Sequence, residues 1–284
     1  MQTKQSVTNL NIRSTVIAVF GLLSIPLAFS HTAQAQVPGQ ANGFVAPVVF
    51  QAAGPNASSI QSTVDAFRAA LGNVNNLNNP GPLPSGRREI NWDGGNPNVV
   101  ATTPPVTPFN TFLNTRGSQF TTNGTGLSQA TPAGLAVLFN NPTYATIFST
   151  FSPSRLFTPV GSDTTDALFF VPGTNGTTAA TVAGFGAVFT DVDQPDGSHQ
   201  GEKLKGDHST VIEYFDHEGR LLFSSAVPPS PGDGSLSFFG IVFQDARIAQ
   251  VRIETGDAPG PNDDRKHDIV MMDDFIYGEP QAAH

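Results

Sequence analysis

Apolar residues in this chain recur at two spacings, and the change of spacing divides it. Ile60, Val64, Phe67 and Leu71 fall at i, i+4, i+7 and i+11, a single stripe along an α-helix. Ser58 and Gln61 form an S-x-x-Q capping box ahead of the stripe, and Gly72 stands where a left-handed C-terminal cap belongs. This pattern predicts one helix over residues 58–71. Residues 36–57 read as an extended lead-in, with Val45, Val48, Val49 and Phe50 inward and Pro47 interrupting. Residues 73–86 (NVNNLNNPGPLPSG) show no apolar period and read as an Asn/Pro/Gly linker.

From Gly86 onward the period shortens to two, in short runs separated by Gly, Pro, Asn and Asp. Candidate strands are 87–92, 119–122, 136–139, 145–148, 167–171, 184–190, 210–215, 221–226, 236–243, 248–254 and 269–277. No long helical pattern alternates with them, so a parallel α/β sheet is not expected. The spacing predicts a mainly β fold, an antiparallel β-sandwich of jelly-roll type over residues 86–280, with 281–284 as a tail. Asp216-His-Glu-Gly219 gives the clearest hairpin, because Asp bonds back to a turn backbone and Gly accepts a left-handed conformation. Val211 and Phe215 share one face of its first strand and Ile212 and Tyr214 the other, so that strand is expected inside the sandwich.

The N-terminus adds a destination. Lys4 and Arg13 precede an apolar run from Thr15 to Phe29, and Ala33-Gln34-Ala35 follows with small residues at the cleavage positions. Residues 1–35 thus read as a secretory signal. Its apolar run is shorter than the ~20 residues that span a bilayer, so no transmembrane segment is expected after cleavage. The absence of cysteine fits a secreted, periplasmic or cell-envelope protein of a bacterium better than a disulfide-stapled eukaryotic domain. The sequons at Asn56, Asn123 and Asn175 follow from Asn/Gly/Thr-rich composition. Charge is uneven: residues 161–284 carry 20 acids against seven bases, residues 36–160 three against five. Such a surface repels nucleic acid and either attracts cations or simply keeps the protein in solution.

Candidate chemistry follows the acids. Asp273 and Asp274 sit mid-strand, and adjacent strand residues point to opposite faces, so one of the pair is expected inward and in need of a partner. A Ca²⁺ ion, with its oxygen shell, or a hydrogen-bond network would supply one. Asp93 joins the pair as a ligand to test. Asp191, Asp193 and Asp196 form a second, looser EF-hand-like cluster in Thr190-Asp-Val-Asp-Gln-Pro-Asp-Gly197. Residues 261–264 read as a solvated turn, and the five histidines beyond the leader lack metal-ligand spacing. The chain has no G-x-S-x-G elbow, H-E-x-x-H site, Walker loop or thiol nucleophile. Phe outnumbers Tyr and Trp by 22 to three and one, which leaves Trp92 as the single candidate platform for a sugar ring.

Gly86-Arg-Arg-Glu-Ile-Asn-Trp-Asp-Gly94, Ile269-Val-Met-Met-Asp-Asp-Phe-Ile-Tyr-Gly-Glu-Pro280 and Phe50-Gln-Ala-Ala-Gly-Pro55 resemble segments of a family of uncharacterised secreted bacterial proteins. Some members carry a PEP-CTERM type sorting tail, whereas this chain reads Gln-Ala-Ala-His after Pro280. The resemblance implies export and brings no activity with it. A looser likeness is to jelly-roll carbohydrate-binding and adhesion modules, which implies that strands 87–92 and 269–277 meet and that Glu89 with Asp273 or Asp274 holds a structural Ca²⁺. The expected function is a non-catalytic extracellular or envelope protein, binding or structural, stabilised by calcium. Extracellular polysaccharide or an envelope component is the expected partner. A polysaccharide hydrolase, a carbohydrate-binding module and a self-assembling matrix protein stand as alternatives.

Overall fold

Where apolar residues alternate along an extended chain, one face of each strand must find cover, and here the strands pair into two antiparallel sheets whose apolar faces meet. The computed structural model describes residues 46–96, 98–193, 210–230, 232–259 and 267–283. Residues 1–35, expected as a signal, Val45, Asp196 and residues 261–264, expected as a turn, lie outside them. The elements run β1 (Val48–Gly54), α1 (Ala57–Leu71), β2 (Arg87–Ile90), α2 (Leu113–Arg116), β3 (Ser118–Thr121), β4 (Gly126–Ala130), α3 (Pro132–Leu138) and α4 (Tyr144–Ile147). They continue as β5 (Leu156–Val160), β6 (Thr164–Phe169), β7 (Ala180–Thr181), β8 (Gly184–Thr190), β9 (Val211–Phe215) and β10 (Leu221–Ala226). Last come β11 (Leu236–Val242), β12 (Gln250–Glu254), β13 (Met271–Gly278) and β14 (Gln281–Ala282).

The larger sheet has the order β1-β11-β8-β13-β5-β4, with β2 added beside β13. The second is β10-β9-β12-β6-β3, and β14 pairs β7 in a small ribbon. Phe185, Ala187 and Phe189 of β8 and Phe239 and Ile241 of β11 face the second sheet and form the main core with Ile212, Tyr214, Val251 and Ile253. The fold is thus a mainly β antiparallel sandwich, as the period-two pattern predicted. No helix among the described residues is long and apolar enough to cross a membrane.

Helix α1 covers the outer face of the larger sheet. Its stripe Ile60, Val64, Phe67 and Leu71 packs on Val188, Leu236, Phe238 and Ile276. Phe67 enters a socket left by two glycines: Gly186 and Gly240 pair across β8 and β11, and a Cβ on either would lie 2.9 Å from the Phe67 ring. Central strands are therefore buried on both faces, and β8 reads as an unbroken apolar and glycine run.

Several local expectations needed correction. Asn56, not Ser58, caps α1: its backbone is extended and its side chain accepts the Ser59 N–H at 3.3 Å, while Gln61 turns to Asp65. Gly72 has φ +116° rather than a left-handed helical value, because the chain leaves the helix against Gly86, 3.0 Å from where a Cβ would stand. Segments 136–139 and 145–148, expected as strands, fall largely in helices α3 and α4. Thr131 accepts the Gly134 N–H and Pro132 opens α3, and this capping outweighs an apolar run too short to declare its period. The larger sheet also begins before Gly86, since β1 pairs with β11 along its whole length. β4 and β5 carry no clean alternation (Gly-Leu-Ser-Gln-Ala and Leu-Phe-Thr-Pro-Val), which hid them.

Segment 73–86 is held down, not loose. Arg88, fully buried on β2, grips Glu279 through Nε at 2.6 Å and Nη2 at 2.7 Å. Its Nη1 donates to the carbonyls of Leu77 and Asn79, while Glu279 accepts from Asn76 Nδ2 and the Leu83 N–H.

Candidate functional site

The strands carrying the expected acidic residues do meet. β2 pairs with β13 so that Glu89 lies opposite Ile276, on the face that α1 covers. Against β8, β13 shifts register between Met272 and Phe275, so that two residues stand opposite the single Val188 between Phe189 and Ala187. That shift is a β-bulge, and Asp273 and Asp274 are the residues inside it. Strict alternation therefore fails here, and both side chains are buried, at 0% and 3% exposure.

Each carboxylate is then accounted for by protein groups. Asp273 Oδ2 accepts the Phe151 N–H at 2.6 Å, and its Oδ1 accepts the Asp274 N–H at 2.8 Å. Ser152 Oγ donates to Asp274 Oδ1 at 2.6 Å and lies 3.2 Å from Asp93 Oδ2. Asp93 Oδ1 takes the N–H groups of Ser154 and Arg155, which fold the 152–155 loop over the bulge. The cation facing this group is Arg68, from the last turn of α1: Nη2 lies 2.9 Å from Glu89 Oε2 and 3.4 Å from Asp274 Oδ2. Arg87 holds the other Glu89 oxygen at 2.6 Å. Burial, then the neighbouring Asp274 charge, pushes the Asp273 carboxyl well above the usual carboxylate range. Burial raises Asp274 too, against the opposing pull of Ser152 and Arg68. One proton shared by the pair is the arrangement these environments favour.

Among the described residues, no group of three or more Asp, Glu or His side chains is set to hold a metal ion. The carboxylate oxygens of the first cluster accept from Arg68, a serine hydroxyl and main-chain N–H groups, so protein groups partner them here. Asp191, from the second cluster, is buried with φ +69° at the end of β8, and its N–H donates to the Ser235 carbonyl. Asp193 is only partly covered, and Asp196 lies outside the described residues.

Trp92, a candidate sugar platform that its sequence context fits equally well to the core, is fully buried. It stacks on Phe157 at 3.7 Å and 3°, with Phe120 and Phe275 edge-on at 5.3 and 5.0 Å. Its indole N–H donates to the Asp273 carbonyl at 3.1 Å, in the bulge where ladder pairing is interrupted. A ring enclosed in this way offers no face to a ligand, so its role is to hold the bulge.

The accessible feature was not legible in the sequence. At the β9–β10 turn a groove of about 520 Å³ opens, lined by Asp216, His217, Arg220 and Leu222 from the hairpin. Asp245, Ala246 and Arg247 from the loop after β11 line it too, with Thr181 and the terminal Gln281 and Ala282. Asp216 builds the turn: Oδ1 accepts the N–H groups of Glu218 and Arg220, and Oδ2 the Arg220 Nε, each at 2.9 Å. Partial burial would raise its pKa, but those bonds prevail and hold it below the usual range. Arg247 lies over the Phe243 ring at 5.0 Å and binds Asp245 through Nε at 2.7 Å. The groove size falls in the range of ligand sites, about 300–1,000 Å³. Four chain segments far apart in sequence build it, so only the hairpin that supplies one wall left a signal. No family model, curated protein or solved structure matches the chain.

Proposed function

We propose that this chain is an exported, non-catalytic binding protein of the bacterial envelope or extracellular space, a sandwich frame that presents the groove at its β9–β10 end. The observation that carries this reading is the separation of the two polar features. The paired carboxylates Asp273 and Asp274, which a hydrolase would turn toward its substrate, lie buried beneath α1 and the 152–155 loop. The groove is open, with polar and apolar surface in similar measure, and its charged side chains hold one another in place. A carboxylate pair has to reach a scissile bond from both sides, which burial of this kind opposes.

The test measures retention and turnover together. The purified protein is mixed with envelope fractions and insoluble polysaccharides, and bound protein and new reducing ends are followed in the same tubes. Retention without new reducing ends is the expected result. Release of reducing ends, abolished by Asp273→Asn, would put the hydrolase first and end this reading.

A further inference from the structure

Resting on the reading of the groove as the recognition site, we infer that its ligand is an uncharged saccharide. The argument begins with charge. Both groove arginines are already matched inside the groove, Arg220 to Asp216 at 2.9 Å and Arg247 to Asp245 at 2.5 Å. Glu218 stands at the rim, 3.1 Å from Arg220. The lining is thus neutral with a slightly acidic rim, and a phosphate, sulfate or uronate would find no unmatched cation. Asp216, which holds Arg220, is itself fixed by the N–H groups of Glu218 and Arg220, so it stays in place against an incoming anion.

Matched pairs of this kind still present hydrogen-bonding atoms. Arg220 Nη1 and Asp245 Oδ2 make no hydrogen bond among the described residues, and their side chains are 64% and 59% exposed. A donor and an acceptor on planar groups suit vicinal hydroxyls, each of which both gives and accepts. Leu222 and Ala246 add small apolar surface for the C–H face of a sugar ring. Arg247 is stiffened by the Phe243 ring beneath it, so less side-chain freedom is lost when a ligand docks.

Affinity electrophoresis tests the assignment with two sets of polymers: neutral ones (hydroxyethylcellulose, galactomannan, arabinoxylan, soluble α-glucan) and uronic-acid ones (polygalacturonate, alginate). At least one neutral polymer is expected to retard the protein. Its dissociation constant should change less than about twofold between about 50 and about 500 mM NaCl, because no net charge is there to be screened. Arg220→Ala and Asp245→Ala should each weaken it about tenfold, the worth of one or two hydrogen bonds, while Asp65→Ala on α1 leaves it unchanged. Groove-dependent, salt-sensitive binding of a uronic-acid polymer would overturn the neutral class and keep the groove. Binding that ignores both groove substitutions, or no retardation by any polymer, would overturn the groove reading itself.

Discussion

Substituting Glu279 by Gln removes one charge from an ion pair with almost no solvent around it: the Arg88 and Glu279 side chains are 0% and 2% exposed. The carboxylate now takes four hydrogen bonds, two from Arg88 and one each from Asn76 Nδ2 and the Leu83 N–H. A glutamine has one oxygen and one NH₂, so whichever way it flips, two donors face a donor and the Arg88 charge stays buried and unmatched. Breaking a buried pair from one side costs about 3–5 kcal/mol, a large share of a total stability of about 5–15 kcal/mol. Urea unfolding followed by fluorescence reads this directly, since Trp92 is the single tryptophan and lies in the core. The Glu279→Gln midpoint should fall by that free energy divided by the slope, with the slope unchanged. Limited proteolysis should at the same time open segment 73–86, which the pair holds through Leu77, Asn79 and Leu83. In the double variant Arg88→Met/Glu279→Met the two losses should be far from additive, because no charge is left stranded. A loss under about 1 kcal/mol with segment 73–86 still protected would refute the reasoning.

Three further outcomes follow from the same structure. Asp273 has a raised pKa when folded, so its contribution is complete below the unfolded carboxyl value and is lost as pH rises toward the folded one. In that window stability should fall by up to about 1.4 kcal/mol per pH unit, and Asp273→Asn should flatten the profile in denaturant melts; an unchanged slope would reject the shared proton. Gly240→Ala places a methyl 2.9 Å from the Phe67 ring and should cost about 1–3 kcal/mol, with Phe67→Leu in the same chain recovering part of the loss in thermal melts. Excess Ca²⁺ against EDTA should leave the unfolding midpoint unmoved where Arg68 is the cation facing Glu89 and Asp274; a gain near 2.7 kcal/mol, as from a site at a hundred times its dissociation constant, would restore calcium to the fold.

The sequence by itself determined the elements with a clear period. The stripe from Ile60 to Leu71 is the buried face of α1, and segments 184–190 and 221–226 coincide with β8 and β10. Asp216 and Gly219 made the hairpin turn readable as well, since the chemistry of a turn is complete within a few residues. These are local properties: a repeat of 3.6 or of two says which side of an element must be covered, whatever covers it. Tertiary structure decided the rest. A register slip between β13 and β8 placed both bulge aspartates under α1, where Arg68, about 200 residues earlier, faces them. Whether Trp92 would be a platform or a core residue depended on Phe157, Phe120 and Phe275 closing around it. The groove needs β9–β10, the loop after β11 and the C-terminal ribbon at one end of the sandwich. Which charges meet is fixed by register and packing between distant segments, and no local pattern records either.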